Sequence, residues 1–390
     1  MPRLVPLLRF VALAVFCTAT GCGALQSSQA PAGWLSAPQQ VAAGVVLHTS
    51  SDPTLVEPPA PTQVVLLKLD PARVKLASLL SNDQVMYAEQ VLPMATRAKA
   101  TAAVNAGFFN VNNGEPVGLL KVAGRLVSDT PITKGAVAIW SPTTGRTELA
   151  FDQVSARVEL RVADDVEPLP VDGVDTTRAR GKLMLYTPSY HEHTDTAANG
   201  VEWVLKGSPL TVTEVRTDAG STPIPADGVV LSYGGLELPE RLARLTPGTV
   251  VETRTTWVSV NGLEPARLES ADHVVNGAGL LRVKGRQISE WDVERLSGPA
   301  FITTKHPRTL IGVDRRGDIW LVVVDGRQAT SGGMTFADLQ RLADRLELTD
   351  ALNLDGGGSS TMVVGDRILN RPSDAKGPRA VSDAIGVFLR

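Results

Sequence analysis

Apolar residues in this chain fall mostly in short runs or alternate with polar ones, and seldom recur at helical spacing. QVVLLKLD (63–70) and ARVKLASLL (72–80) have the pattern of strands, and TAAVNAGFFN (101–110) that of a buried strand entering a loop. Residues 83–98 predict a helix despite Pro93. Between about 135 and 275, short β-branched runs such as GAVAIW, ARVELRV, KLMLYTP and VEWVLKG alternate with turns. RTLIGV (308–313), a DRRGD turn and IWLVVVDG (319–326) predict a hairpin whose second strand is buried on both faces. TFADLQRLADRLEL is the clearest helix: Thr335 is placed to cap it with Asp338 three residues on, and Phe336, Leu339, Leu342 and Leu346 make one stripe. ALNLD, STMVV and RILN complete a last strand system. The expected fold class is α+β: mainly antiparallel β-sheet with a few packed helices, in a single large domain.

The N-terminus breaks this pattern. Residues 1–22 combine Arg3 and Arg9 with the apolar FVALAVFCTAT and end in small residues before Cys22, the build of an export signal. The segment resembles a bacterial lipoprotein signal with Cys22 as the lipidated residue, although Ala19 stands where leucine is favoured. Residues 23–60, rich in Pro, Ser, Ala and Gln, suit a tether, and VVLH (45–48) is a candidate edge strand within it. The domain proper is expected over 61–390. The corresponding location is the bacterial cell envelope, lipid-anchored or secreted, with membrane contact only through a lipid anchor at Cys22.

Composition narrows the class. The formal net charge of −3 over 390 residues, without a Lys/Arg-rich run, argues against a nucleic-acid partner. The two cysteines, Cys17 and Cys22, both lie in the signal, so the exported domain would depend on core burial and not on disulfides. The 35 glycines and 26 prolines agree with many turns.

Three glycine turns carry a polar side chain at the end of an apolar run: Asn105 in VNAGFFN, Asp325 with Arg327 in VVVDGR, and Asp355 in NLDGGGSS. A lone Asp-Gly is usually only a turn. Three glycines followed by two serines exceed what a turn needs, and suggest close approach of backbone to a ligand. A P-loop is excluded because no Gly-Lys-Ser/Thr occurs, and the HEH at 191–193 lacks metalloprotease spacing.

VNAGFFN, NNGEPVG, KHPRTLIGVDRRGDIWLVVVDGR, SGGMTFADLQRLADRL, LNLDGGGSSTMVV and NRPSDAKGPRAVSDAIGVF together resemble the phosphodiester glycosidase family, in family order from about residue 100 onward. The resemblance implies hydrolysis of a sugar-1-phosphodiester, of N-acetylglucosamine-1-phosphate type or a related phosphoglycan, at the glycosidic C–O bond. Carried over by motif, it assigns Asp355, Asp325 and Glu115 to catalysis. It assigns Asn105, Gly107, Phe108, Arg308, Thr309, Gly326, Arg327, Gly356, Gly357, Gly358, Ser359, Ser360 and Arg379 to substrate binding. Arg308 and Arg379 would hold the phosphate, the Gly356–Ser360 amides would cradle it, and Phe108 would stack on the sugar. NGAGLL (276–281) departs from the family's glycine-proline segment. No cofactor or metal is required by this reading, and Ca²⁺ among the carboxylates has no spaced-ligand loop to support it. Two alternatives stay open: a non-catalytic phosphoglycan- or polysaccharide-binding protein on the same fold, and a metal-dependent phosphodiesterase.

Overall fold

The computed structural model describes Met1 and residues 33–162, 167–296 and 298–390; Cys22 and the signal segment lie outside the described residues. The strands form three sheets. An eight-stranded sheet runs in the order Gln39–Ala42, Val45–Ser50, Val64–Leu69, Ile319–Val324, Arg308–Asp314, Leu348–Asn353, Leu280–Val283, Arg286–Gln287. A five-stranded sheet runs Arg367–Ile368, Met362–Val364, Ala102–Asn105, Asp383–Leu389, Val74–Leu80. The middle of the chain makes a twelve-stranded sheet built around the long strands Thr130–Trp140, Glu148–Val162 and Val250–Ser259. Among the described residues pairing is antiparallel except where Gly173–Val174 lies parallel to Met184–Leu185 and at an isolated parallel bridge between Arg180 and Gly234. The class is α+β, as the pattern predicts.

Continuous apolar runs arise because the eight-stranded sheet is covered on both faces. Val65, Leu67, Leu69, Ile311, Leu321 and Val323 share one cluster with Val74, Leu76, Ala102, Val104, Ile385 and Val387 of the five-stranded sheet. Their alternates Val64, Leu66, Leu310, Val322 and Val324 pack under the helix Phe336–Arg345. That helix has the expected capping box: the Thr335 hydroxyl accepts from the Asp338 amide, and the Asp338 carboxylate accepts from the Thr335 amide.

Two expectations need correction. The first helix spans Val91–Ala98, not 83–98. Residues upstream take positive φ at Asn82, Asp83 and Tyr87, and their amides serve other segments, Tyr87 donating to Asn113 O and Glu89 to Val381 O. Pro93 therefore falls in the first turn, where it removes no intrahelical bond. Residues 33–60 are not a free tether. Val45–Ser50 pairs along its length with Val64–Leu69, Leu55 and Val56 are buried, and Arg345 lies over the Trp34 ring. Val45 and Leu47 pack against the core on one face while His48 and Ser50 are buried on the other, as in a strand and not in a tether.

Candidate active site

The strand Ala102–Asn105 occupies the middle of the five-stranded sheet, so its end is flanked on both sides. On one side Asp383 opens the last strand, and Ala106 N donates to Asp383 O. On the other side the glycine-rich loop arrives, and Asp355 N donates to Ala106 O. The two aspartates thus emerge on either side of Ala106–Gly107 from chains separated by two strand spacings, roughly 10 Å.

Asn105 fastens this corner. Fully buried, it donates to Asp355 O (2.7 Å) and accepts from the Thr309 hydroxyl (2.7 Å) and the Thr361 amide (3.1 Å). Thr309 also reaches the Ser360 hydroxyl at 3.3 Å. Asn105, Thr309 and Ser360 are therefore buried positioning groups, each linking the strand end to the loop.

Asp383 is 1 % exposed; it accepts from Gly107 N (2.6 Å) and the Ser382 hydroxyl (2.9 Å). Burial pushes its carboxyl up to about 6 against these two donors. Burial likewise pushes Asp355 up to about 6, assisted by the charge of Asp383 and opposed by Ser359, Gly356 N and Arg379. Gly107 cannot carry a side chain, because a Cβ there would lie 2.8 Å from the Asp383 carboxylate. Sequence reasoning quoted SDAIGVF but passed over Asp383. An aspartate opening an apolar strand was the signal available.

The glycine run has a different use from the one expected. Gly356 N donates to the Asp355 carboxylate, Gly357 N to Pro307 O, Ser359 N to Gly356 O and Ser360 N to Gly357 O. Four amides of the expected phosphate cradle are thus engaged within the protein. The glycines instead admit neighbours. A Cβ on Gly356 would stand 2.6 Å from Pro307 O, one on Gly357 (φ +64°) 3.2 Å from the Arg327 guanidinium, and one on Gly358 would collide with the Asp374 carboxylate. Gly326 is confined in the same way, 2.6 Å from Pro307 N.

Cations stand close by. Arg379 pairs with Asp374 at 2.9 Å and lowers the Asp355 carboxyl through its charge. Exposed Arg327 contacts His306 at 3.2 Å; His306 was also missed. Arg308 is a correction. It is 2 % exposed, donates to the carbonyls of Met334, Phe301 and Thr304, and lies between the Phe301 and Phe336 rings. A guanidinium clamped in this way braces the core and is withdrawn from any phosphate. Phe108 is half-buried against Phe301, with ring centroids 6.0 Å apart.

Two expected catalytic carboxylates are engaged elsewhere. Asp325 accepts from the Asn370 amide (3.0 Å) and Arg371 N (3.0 Å), while Asn370 also donates to Ser360 O. Burial raises its pKa. It braces the segment behind the glycine-rich loop. Glu115 accepts from Thr177 (2.6 Å), Thr176 (3.1 Å) and Tyr190 (3.4 Å), none of which belongs to that loop. Among the described residues, no group of three or more His, Cys, Asp or Glu is placed to hold a metal ion.

Two buried aspartates with raised carboxyls and arginines beside them mark this sheet end as the candidate functional site of an α+β scaffold. The solved structures show the same fold. A Synechocystis protein superposes with TM-score 0.76 at 23% identity, over 92% of this chain and 64% of that one. A Burkholderia pseudomallei protein gives 0.72 at 24% identity, over 85% and 74%. In sequence, bovine N-acetylglucosamine-1-phosphodiester alpha-N-acetylglucosaminidase is 30% identical over 117 residues, and its human counterpart 31%. Each match covers 28% of this chain and 22% of the relative, so the chain spans only about a fifth of those proteins. Residues 199–388, just under half of the chain, match the phosphodiester glycosidase family model, and over that stretch the chain is similar to that family.

Proposed function

We propose that this protein hydrolyses a sugar-1-phosphodiester at the bond between the anomeric carbon and oxygen. The observation that carries the reading is the pair Asp355 and Asp383 on either side of Ala106–Gly107, both held near 6. The phosphomonoester that departs from such a diester is a good leaving group, so little acid catalysis is needed, and cations that stabilise the departing charge replace it. The ionised member of the pair takes a proton from water as the water attacks the anomeric carbon, or attacks that carbon itself to give a glycosyl ester that water then cleaves, releasing the sugar and restoring the carboxylate. The C–O bond breaks, and the phosphomonoester leaves with its charge facing Arg327 and Arg379. Arg379 leaves Asp374 to make that contact. Phe108 offers a ring edge for the sugar. The family similarity supports a glycosidase, and this pair supplies two carboxylates of the kind such chemistry uses.

The catalytic pair here is Asp355 with Asp383, with Asp325 and Glu115 as supports. The reading includes export with a lipid anchor at Cys22 and action on envelope phosphoglycan without a metal cofactor. Mass spectrometry of the N-terminal peptide from a bacterial host tests the anchor; an unmodified Cys22 refutes it. For the reaction, the purified protein is incubated with an α-N-acetylglucosamine-1-phosphodiester in ¹⁸O-labelled water. Label in the released sugar, abolished by Asp355→Asn and by Asp383→Asn and insensitive to chelator, is expected. Label in the phosphate would establish P–O cleavage and end this reading.

A further inference from the structure

A cleft of about 800 Å³ opens on the twelve-stranded sheet, away from the two aspartates, and nothing above uses it. Its walls come from the segment after Asp175, the 194–199 loop and the Tyr233–Glu237 turn. Its base is rigid. Arg178 is engaged with Ser232, Asn199 and the fully buried Glu202, and Glu202 also accepts from Thr194 and Thr196. Above that base, three groups face the opening. Half-buried Tyr233 presents its ring beside Gly235, where a Cβ would lie 3.3 Å from it. The exposed Arg180 guanidinium makes no side-chain hydrogen bond or ion pair among the described residues. Exposed Asn199 adds an amide.

This chemistry discriminates among ligands. A lipid is disfavoured by hydroxyl, guanidinium and amide walls. A polyanion is disfavoured because Asp195 and Glu237 line the cleft and Arg180 is its one unengaged cation among the described residues. A saccharide matches: its C–H face stacks on an aromatic ring while its hydroxyl edges bond to polar groups. The volume lies within the roughly 300–1,000 Å³ of pockets that enclose ligands larger than a single ring.

The cleft is also joined to the candidate active site. Thr177 and Tyr190 line it and donate to Glu115, whose loop begins at Gly107, the residue bonded to Asp383. We propose that this cleft binds a neutral oligosaccharide stretch of the substrate, so that the protein acts on a phosphoglycan chain and not on an isolated sugar phosphodiester. The substrate half of this inference rests on the reading under Proposed function; the binding half does not.

The test is calorimetric titration of the full chain carrying Asp355→Asn with chitotetraose and with maltotetraose. Stoichiometric binding of at least one is expected. Tyr233→Ala and Arg180→Ala each weaken it about tenfold, and Tyr233→Phe, which keeps the ring, retains it. Binding of neither sugar, or binding indifferent to Tyr233→Ala and Arg180→Ala, overturns the inference. Wild-type cleavage of N-acetylglucosamine-1-(methyl phosphate) is measured in parallel. Cleavage without tetrasaccharide binding removes the cleft and leaves the catalytic pair. Binding without cleavage removes the catalytic pair, and with it the chain-substrate claim, and leaves the cleft as a saccharide site.

Discussion

Replacing Asp383 by asparagine should make the protein more stable at neutral pH while abolishing its hydrolysis. The side chain is 1 % exposed and its carboxyl stands at about 6, against 3.8 in an unfolded chain. The folded state therefore holds this proton more tightly than the unfolded state between those two values, and stability falls as pH rises through them. Above the folded value the whole cost is present, about 2 units at 1.36 kcal/mol each, or ~3 kcal/mol as an upper bound. Asparagine keeps an acceptor for Gly107 N and can donate to the Ser382 hydroxyl, so the two hydrogen bonds survive in altered form. Urea unfolding at pH 8 should then show Asp383→Asn more stable than wild type by ~1–3 kcal/mol, with the difference gone near pH 3, below the unfolded value. A variant less stable than wild type by the same amount at both pH values would refute the reasoning, because the loss would then be of packing or hydrogen bonds and not of a buried charge.

Hydrolysis itself should lose activity as pH falls through about 6, when the ionised member of the Asp355–Asp383 pair takes up its proton; kcat/KM level down to pH 4 would exclude the pair as the base. Arg308→Leu should destabilise by ~3 kcal/mol, because three carbonyls lose their donor and two rings their cation, and Arg308→Lys should recover little. Thermal melting checks both, and a loss of substrate affinity without a loss of stability would return Arg308 to the phosphate. Gly358→Ala should lower both melting temperature and activity, since its methyl group displaces Asp374 and through it Arg379; an unaltered melt and rate would show that the loop relaxes freely.

The amino-acid pattern by itself determines much of this architecture. The continuous apolar runs VVLLKL and IWLVVV, the stripe Phe336, Leu339, Leu342 and Leu346, and the Thr335–Asp338 cap are local properties, and the local pattern decides whether one face or both are buried. Asn105 and the glycine run also stood out, because a polar residue beside glycine at the end of an apolar run is uncommon without a cause, whereas Thr309 was reached only through the family resemblance.

Tertiary structure alone decided what these residues do. Asp383 and Asp355 are 28 positions apart in the chain and come to flank one strand end only because their segments lie on opposite sides of that strand. Arg308 has the charge to hold a phosphate, yet the Phe301 and Phe336 rings and three carbonyls reach it first. Glu115 and Asp325 carry the right functional group, but Thr177, Tyr190, Asn370 and the Arg371 amide tie them to segments other than the Ala106–Gly107 corner. A sequence motif specifies which functional groups are present. Which of them meet at one place depends on which strand ends the fold brings side by side, and that is a property of contacts far apart in the chain.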